Sequence, residues 1–230
     1  MLKKLTLSAG IFCFIIAASA ESTLLQHDFA NGWQKMDKEK FARKIQISVR
    51  GKTPEFAEGK TENGKVMRLL PGSQLILKNA RPQVPGSIVL KLKVSGNLTP
   101  SPARYIGTTN IPGPYLFYQE SISLKKNFTH FGCHNLRAPS HNQYNITKHD
   151  LSLPQNTWST IVINLKKDVI ELWINGKKYN GKQNDFQNNE LYGDLALGSV
   201  SNKNMTIDIA SLSVFSDTLP DAEIQKISQK

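Results

Sequence analysis

Cysteine is nearly absent from this chain of 230 residues, which has only Cys13 and Cys133. Cys13 lies in an N-terminal stretch that reads as a removable leader, so a single thiol remains. One thiol cannot form an internal bridge, which excludes a disulfide scaffold, and Cys133 reads as a small buried hydrophobe. Long apolar runs are also missing. Ile11 to Ala17 is too short to span a bilayer, and no later segment reaches the required length. No repeat of ~30 residues is visible, which argues against solenoids and propellers. Strand patterns do not alternate with long amphipathic helices, which argues against an α/β fold. No nucleic-acid-binding motif accompanies the net charge of +11, so nucleic acid is not the expected partner.

The first twenty residues carry the marks of an export signal. Lys3 and Lys4 are the positive end, Ile11 to Ala17 the apolar centre, and Ala18-Ser19-Ala20 the small-residue cleavage site. Ile11 and Phe12 precede Cys13 where a lipid-anchored cysteine needs small neighbours, so a lipoprotein is not expected. The expectation is a signal peptide over 1–20 and a secreted or periplasmic protein over 21–230. About 210 residues suit one all-β domain. The charge of +11 less that of Lys3 and Lys4 leaves +9. A basic exported protein suits an acidic polysaccharide, an anionic lipid or a cell-wall polymer, although spread lysines also serve solubility alone.

Period-two alternation dominates what remains, and that is the signature of strands. Ser87 to Val94 puts Ile88, Leu90, Leu92 and Val94 on one face. Gln74 to Lys78, Lys44 to Val49 and Leu24 to Phe29 are shorter runs of the same kind, the last followed by a turn at Asn31-Gly32, and Lys35 to Lys44 reads as a short helix. Trp158 to Leu165 and Val169 to Ile174 form consecutive strands, and Asn175-Gly176 supplies the two residues a type I′ hairpin turn needs. Met205 to Phe215 is a longer strand. Its strict alternation places Asp208, Ala210, Leu212 and Val214 on one face, read as the core side. Pro220 and the acidic residues around it suit the first turn of a closing helix. The middle, Asn97 to Leu153, is rich in proline, asparagine and histidine and reads largely as loops and edge strands.

Hairpin, short strand, long strand and closing helix, from Trp158 to Ile227, resemble the end of a laminin G-like domain of the concanavalin A-like lectin/glucanase superfamily. The resemblance is best over the last seventy or so residues and extends to the N-terminal half only through its strands and the opening LLQHDFANGW. It implies an all-β fold: a two-sheet antiparallel β-sandwich of the concanavalin A-like jelly-roll type with a short C-terminal helix. It implies no single function, because one sandwich hosts lectins, adhesion modules, glycanases and lyases. Sugar hydrolases built on this sandwich often carry a strand motif E-x-D-x-x-E, which is not found here, and that puts a two-carboxylate mechanism in doubt.

The chemistry-bearing residues concentrate in the middle. His130, Cys133, His134, Arg137, His141, Asn142 and Tyr144 lie close in sequence. As catalytic candidates, His130, His134, His141 or Tyr144 would move a proton beside a uronate while Arg137 and Asn142 neutralise its carboxylate. As a metal site, His130, Cys133 and His134 offer soft ligands without a standard zinc spacing. As plain structure, they are polar residues bonded to backbone. Tyr105, Tyr115 and Tyr118, with Lys91, Lys93 and Asn142, are the candidate ligand-binding set, the tyrosines as stacking surfaces and the lysines as anion contacts. Asp208, if inward, needs a partner: a backbone cap, or calcium through its oxygens. The leading expectation is a secreted carbohydrate-binding domain that takes a glycan or acidic polysaccharide. The alternative is a polysaccharide lyase or glycoside hydrolase that uses His130–Tyr144.

Overall fold

The computed structural model describes residues 23–27, 29, 45–59, 64–96, 103–107, 113–121, 126–134, 146–148, 153–166, 169–183, 193–200, 202 and 204–229. Over 103–148 the description is of backbone. The leader, the Asn31-Gly32 turn, the Lys35–Lys44 segment and Arg137, His141, Asn142 and Tyr144 lie outside these residues.

Among the described residues, fifteen strands and one helix follow one another. They are β1 (Thr23–His27), β2 (Gln46–Gly51), β3 (Glu55–Glu58), β4 (Lys65–Leu69), β5 (Ser73–Arg81), β6 (Gly86–Gly96), β7 (Ala103–Gly107) and β8 (Gly113–Ser121). Then come β9 (Lys126–His134), β10 (Ile146–Lys148), β11 (Trp158–Leu165), β12 (Val169–Ile174), β13 (Lys177–Gln183), β14 (Gly193–Gly198), β15 (Met205–Phe215) and α1 (Asp221–Ser228). An eight-stranded sheet runs β13-β12-β11-β6-β15-β4-β3, with β1 also paired to β15. A seven-stranded sheet runs β10-β9-β8-β7-β14-β5-β2. Every strand pairing is antiparallel. This is the expected two-sheet antiparallel β-sandwich with a short closing helix.

The core lies between the sheets. Ile88, Leu90, Leu92 and Val94 of β6 and Ile161, Ile163 and Leu165 of β11 meet Leu75 and Leu77 of β5 and Leu195 and Leu197 of β14. Each comes from an alternating run, so each strand sends one face inward. The hairpin turn is as expected: Asn175 and Gly176 have φ of 49° and 78°.

A second, smaller core covers part of the outer face of the eight-stranded sheet. Helix α1 lays Ile224, preceded by Leu219, on Val89, Val162, Trp173 and Phe215. A buried polar knot fixes its approach. The Leu219 N–H donates to Ser87 Oγ at 2.9 Å, and Asn164 Nδ2 donates to the Leu219 carbonyl at 2.9 Å. Asn164 Oδ1 accepts from Ser87 Oγ at 2.6 Å. Gln225 Nε2 then ties the helix to the Gly176 carbonyl at 2.6 Å.

Two expectations need correction. The middle is less irregular than its prolines suggest: β7, β8, β9 and β10 are four neighbouring strands, and His130 to His134 belong to β9. Pro114 is accommodated because it sits at the second position of β8, opposite Cys133 near the strand end. The phase of β15 also changes. Its register against β6 shifts between Ile209 and Ser211, so Ile207 and Ile209 join the core before the shift and Leu212 and Val214 after it. Asp208 therefore does not share a face with Leu212 and Val214. One extra residue in a strand reverses the alternation that follows it.

Candidate functional site

Asp208 stands on the outer face of the eight-stranded sheet, in a row that crosses five strands. The residues opposite one another are Glu55, Arg68, Asp208, Lys93 and Trp158. Arg68 donates to both carboxylate oxygens, Nε to Oδ1 at 2.7 Å and Nη2 to Oδ2 at 2.9 Å. Lys93 Nζ lies 3.1 Å from Oδ2 and 5.3 Å from the Trp158 ring centroid. Asp208 is 1% exposed, while Arg68 and Lys93 are 35% and 27% exposed. Burial pushes the Asp208 carboxyl up, but the hydrogen bonds from Arg68 and Lys93 outweigh it and hold the group below its ordinary range. Its oxygens thus face two cations. No cluster of three or more His, Cys, Asp or Glu side chains able to hold a metal ion occurs among the described residues.

The same face repeats this arrangement beside helix α1. Glu171 lies 2.7 Å from Lys166 Nζ and 3.1 Å from Lys178 Nζ, and Lys178 also reaches Asp221 of the helix at 3.2 Å. Burial raises the Glu171 carboxyl, and the two lysines bring it below the ordinary value. Lys178 Nζ also lies over Trp173. Part of this face is therefore covered by α1, and a further part is charge-neutralised within itself.

Of the sequence candidates of the middle, Tyr105, Tyr115, Tyr118, His130 and His134 fall in strands of the other sheet. The register sets His130 of β9 opposite Phe117 of β8 and Thr147 of β10, and Phe117 opposite Arg104 of β7. The core-facing row next to it runs Leu75, Leu197, Ile106, Leu116, Phe131 and Ile146. Arg104, Phe117, His130 and Thr147 therefore belong to the outer face. Alternation adds Tyr115, opposite Gly132, and His134, opposite Gly113. On β2 and β5 the same face holds Ser48, Arg50, Gln74, Ile76 and Lys78, because Ile47, Val49, Leu75 and Leu77 pack inward. Gln74 Nε2 donates to the Gly198 carbonyl of β14 at 3.4 Å.

The candidates divide accordingly. Tyr115, His130 and His134 share the outer face of the seven-stranded sheet. Tyr118, opposite Thr129, falls on the core-facing side, and Tyr105 is the extra residue where β7 shifts register against β8. Lys91 and Lys93 are on the other sheet, in β6, and Lys93 is committed to Asp208. Arg50, Gln74 and Arg104 were not among the sequence candidates. Strand pairing brings Arg104 into line with Phe117 and His130 and sets Arg50 opposite Gln74, which is buried.

No family model matches this sequence, and no curated protein is similar to it in sequence. Solved structures do share its fold. One is domain 4 of AbnA, a GH43 extracellular arabinanase from Geobacillus stearothermophilus, in complex with arabinotriose. Its TM-score is 0.67 at 16% identity, over 90% of this chain and 98% of that domain. The binding domain of botulinum neurotoxin DC in complex with SialylT gives 0.62 at 13% identity, over 90% of this chain and 51% of that one. The same toxin domain in complex with rat synaptotagmin II gives 0.63 at 14% identity, over 91% of this chain and 51% of that one. The chain thus spans about half the length of the neurotoxin domains. At these identities the likeness is one of fold.

Proposed function

We propose that the chain is an exported carbohydrate-binding domain that holds a glycan on the outer face of its seven-stranded sheet. The observation that carries this reading is the register that aligns Arg104, Phe117, His130 and Thr147 across four strands, with Tyr115 and His134 on the same face. Aromatic positions for stacking on sugar rings, with polar groups beside them for hydroxyls, are what a saccharide site requires. Export is supported by the leader over 1–20. The likeness in fold to domains solved with arabinotriose and with SialylT supports the ligand class. Membership of the concanavalin A-like superfamily, in its laminin G-like branch, belongs to the same reading and is supported by the hairpin, long strand and closing helix of 158–227.

The test is titration of the chain from Glu21 onward against arabino-, sialyl- and uronate-containing oligosaccharides. Phe117→Ala and Tyr115→Ala should each weaken binding about 5- to 30-fold, which corresponds to loss of ~1–2 kcal/mol of aromatic contact. Circular dichroism should show both variants folded. If the folded wild-type protein retains no glycan of a broad panel, the reading fails.

A further inference from the structure

We infer that helix α1 is a hinged cover: it swings away at Pro220 and bares Trp173 while the sandwich stays folded. The residue before the hinge is fixed. Leu219 is 3% exposed, its N–H donates to Ser87 Oγ and its carbonyl accepts from Asn164 Nδ2, both at 2.9 Å. Ser87 and Asn164 are each 0% exposed, so this knot stays with the sheet. Pro220 follows with extended backbone (φ −62°, ψ 149°), and no side chain caps the helix that begins after it. A pinned residue next to an uncapped helix start is where a hinge falls. Among the described residues all strand pairings lie within 23–215, so a turn at Pro220 breaks none of them. The proposed glycan face is on the other sheet and is untouched by this motion.

Beyond the hinge the helix is held lightly. Ile224 is its buried residue and Ile227 packs beside it, while Asp221, Ala222, Gln225 and Lys226 are exposed. Two of its links lie at the surface: Asp221 to Lys178 Nζ at 3.2 Å, and Gln225 Nε2 to the Gly176 carbonyl at 2.6 Å. An exposed ion pair of this kind contributes little. Leu219 stays behind when the helix leaves, so opening forfeits mainly the contacts of Ile224 and Ile227 with Val89, Val162, Trp173 and Phe215. Two buried polar groups oppose the closed state. Trp173 Nε1 and Ser228 Oγ have no hydrogen-bond partner among the described residues, and Trp173 is 3% exposed. An indole N–H kept from water without an acceptor favours a state that returns it to water. Closed, this part of the outer face presents a polar helix surface. Open, it presents the Trp173 indole beside Val162, Phe215 and Lys178, whose Nζ lies 5.1 Å from the ring centroid. The cover thus decides whether this end of the eight-stranded sheet offers an aromatic surface.

Hydrogen exchange followed by NMR on the chain from Glu21 onward tests the hinge. The opening constant read from the Trp173 indole N–H should match that of the amides of 225–228. Both should exceed the constants at Leu90 and Leu212, inside the eight-stranded sheet, at least about tenfold. Urea should raise the Leu90 and Leu212 constants steeply and the helix and indole constants little, because the opening exposes little surface. Ile224→Ala should raise the helix and indole constants at least about tenfold, with the strand signal in circular dichroism unchanged. Equal constants and equal urea dependence at all these sites would mean that the helix leaves only with the whole fold, and would overturn the proposal. Early exchange in α1 with the indole protected until global unfolding would mean fraying on the seat, with Trp173 never bared, and would overturn it too. Ile224→Ala without effect on the indole would overturn the assignment of α1 as its cover.

Discussion

Replacing Asp208 with asparagine removes the charge at the centre of the row Glu55, Arg68, Asp208, Lys93 and Trp158 and changes its shape little. The carboxylate is 1% exposed and holds Arg68 through two hydrogen bonds and Lys93 through a third contact. Removing one partner of a fully buried pair costs about 3–5 kcal/mol. Here the orphaned cations are 35% and 27% exposed, so water rehydrates and screens them. Halving the buried figure gives about 2 kcal/mol, or a fall of ~4–8 °C in Tm for a domain of this size. Urea unfolding followed by tryptophan fluorescence measures it, with Trp158 beneath Lys93 as a local reporter. The pH dependence has a definite sign. A carboxyl whose folded pKa lies below its unfolded value contributes stability that is complete above about pH 4 and is lost as pH falls through the folded pKa. The stability gap between wild type and Asp208→Asn should therefore be flat at neutral pH and narrow in acid. A loss under ~0.5 kcal/mol, or no coupling in a double-mutant cycle with Arg68→Met, would refute the assignment of this row as a structural hub.

Two more substitutions probe the frame. Asn164→Ala strips the Leu219 carbonyl of its buried donor and leaves Ser87 only the Asp217 carbonyl as acceptor, and should cost about 2 kcal/mol. Hydrogen exchange over 221–228 should speed up, because α1 loses the knot that seats it; unchanged protection would disprove that role. Gly198→Ala sets a Cβ at a φ of +73°, 2.7 Å from the Ser73 carbonyl and 3.0 Å from Leu69 Cδ1. It should destabilise by about 2 kcal/mol in thermal melts, and a variant as stable as wild type would rule out close packing there.

Much of the frame was legible in the sequence because its signals are local. Ile88, Leu90, Leu92 and Val94 alternate with nothing to interrupt them, and Asn175-Gly176 is a turn by its own chemistry. The phase of β15 was not legible. A bulge between Ile209 and Ser211 is set by pairing with β6, more than a hundred residues away, and IDIASLSVF alternates as well in one phase as in the other. Strands β7 to β9 were hidden because prolines and histidines mask the alternation of Leu116, Tyr118 and Phe131. The candidate face was half legible. His130, His134 and Tyr115 stood out by residue type, whereas Arg104 is ordinary in sequence and joins Phe117 and His130 only through register.

Strand β15, inside the eight-stranded sheet, is the last of the described strands in chain order. Strand β15 pairs with β1, β4 and β6, and Thr23 sits opposite Phe215. Strand β1 is therefore separated from its neighbour by nearly two hundred residues. Loop closure over such separations is entropically costly and slows folding. Without the residues from Met205 on, the strand that joins β6 to β4 is missing. A variant cut before Met205 should therefore lose the cooperative unfolding transition of the intact sandwich.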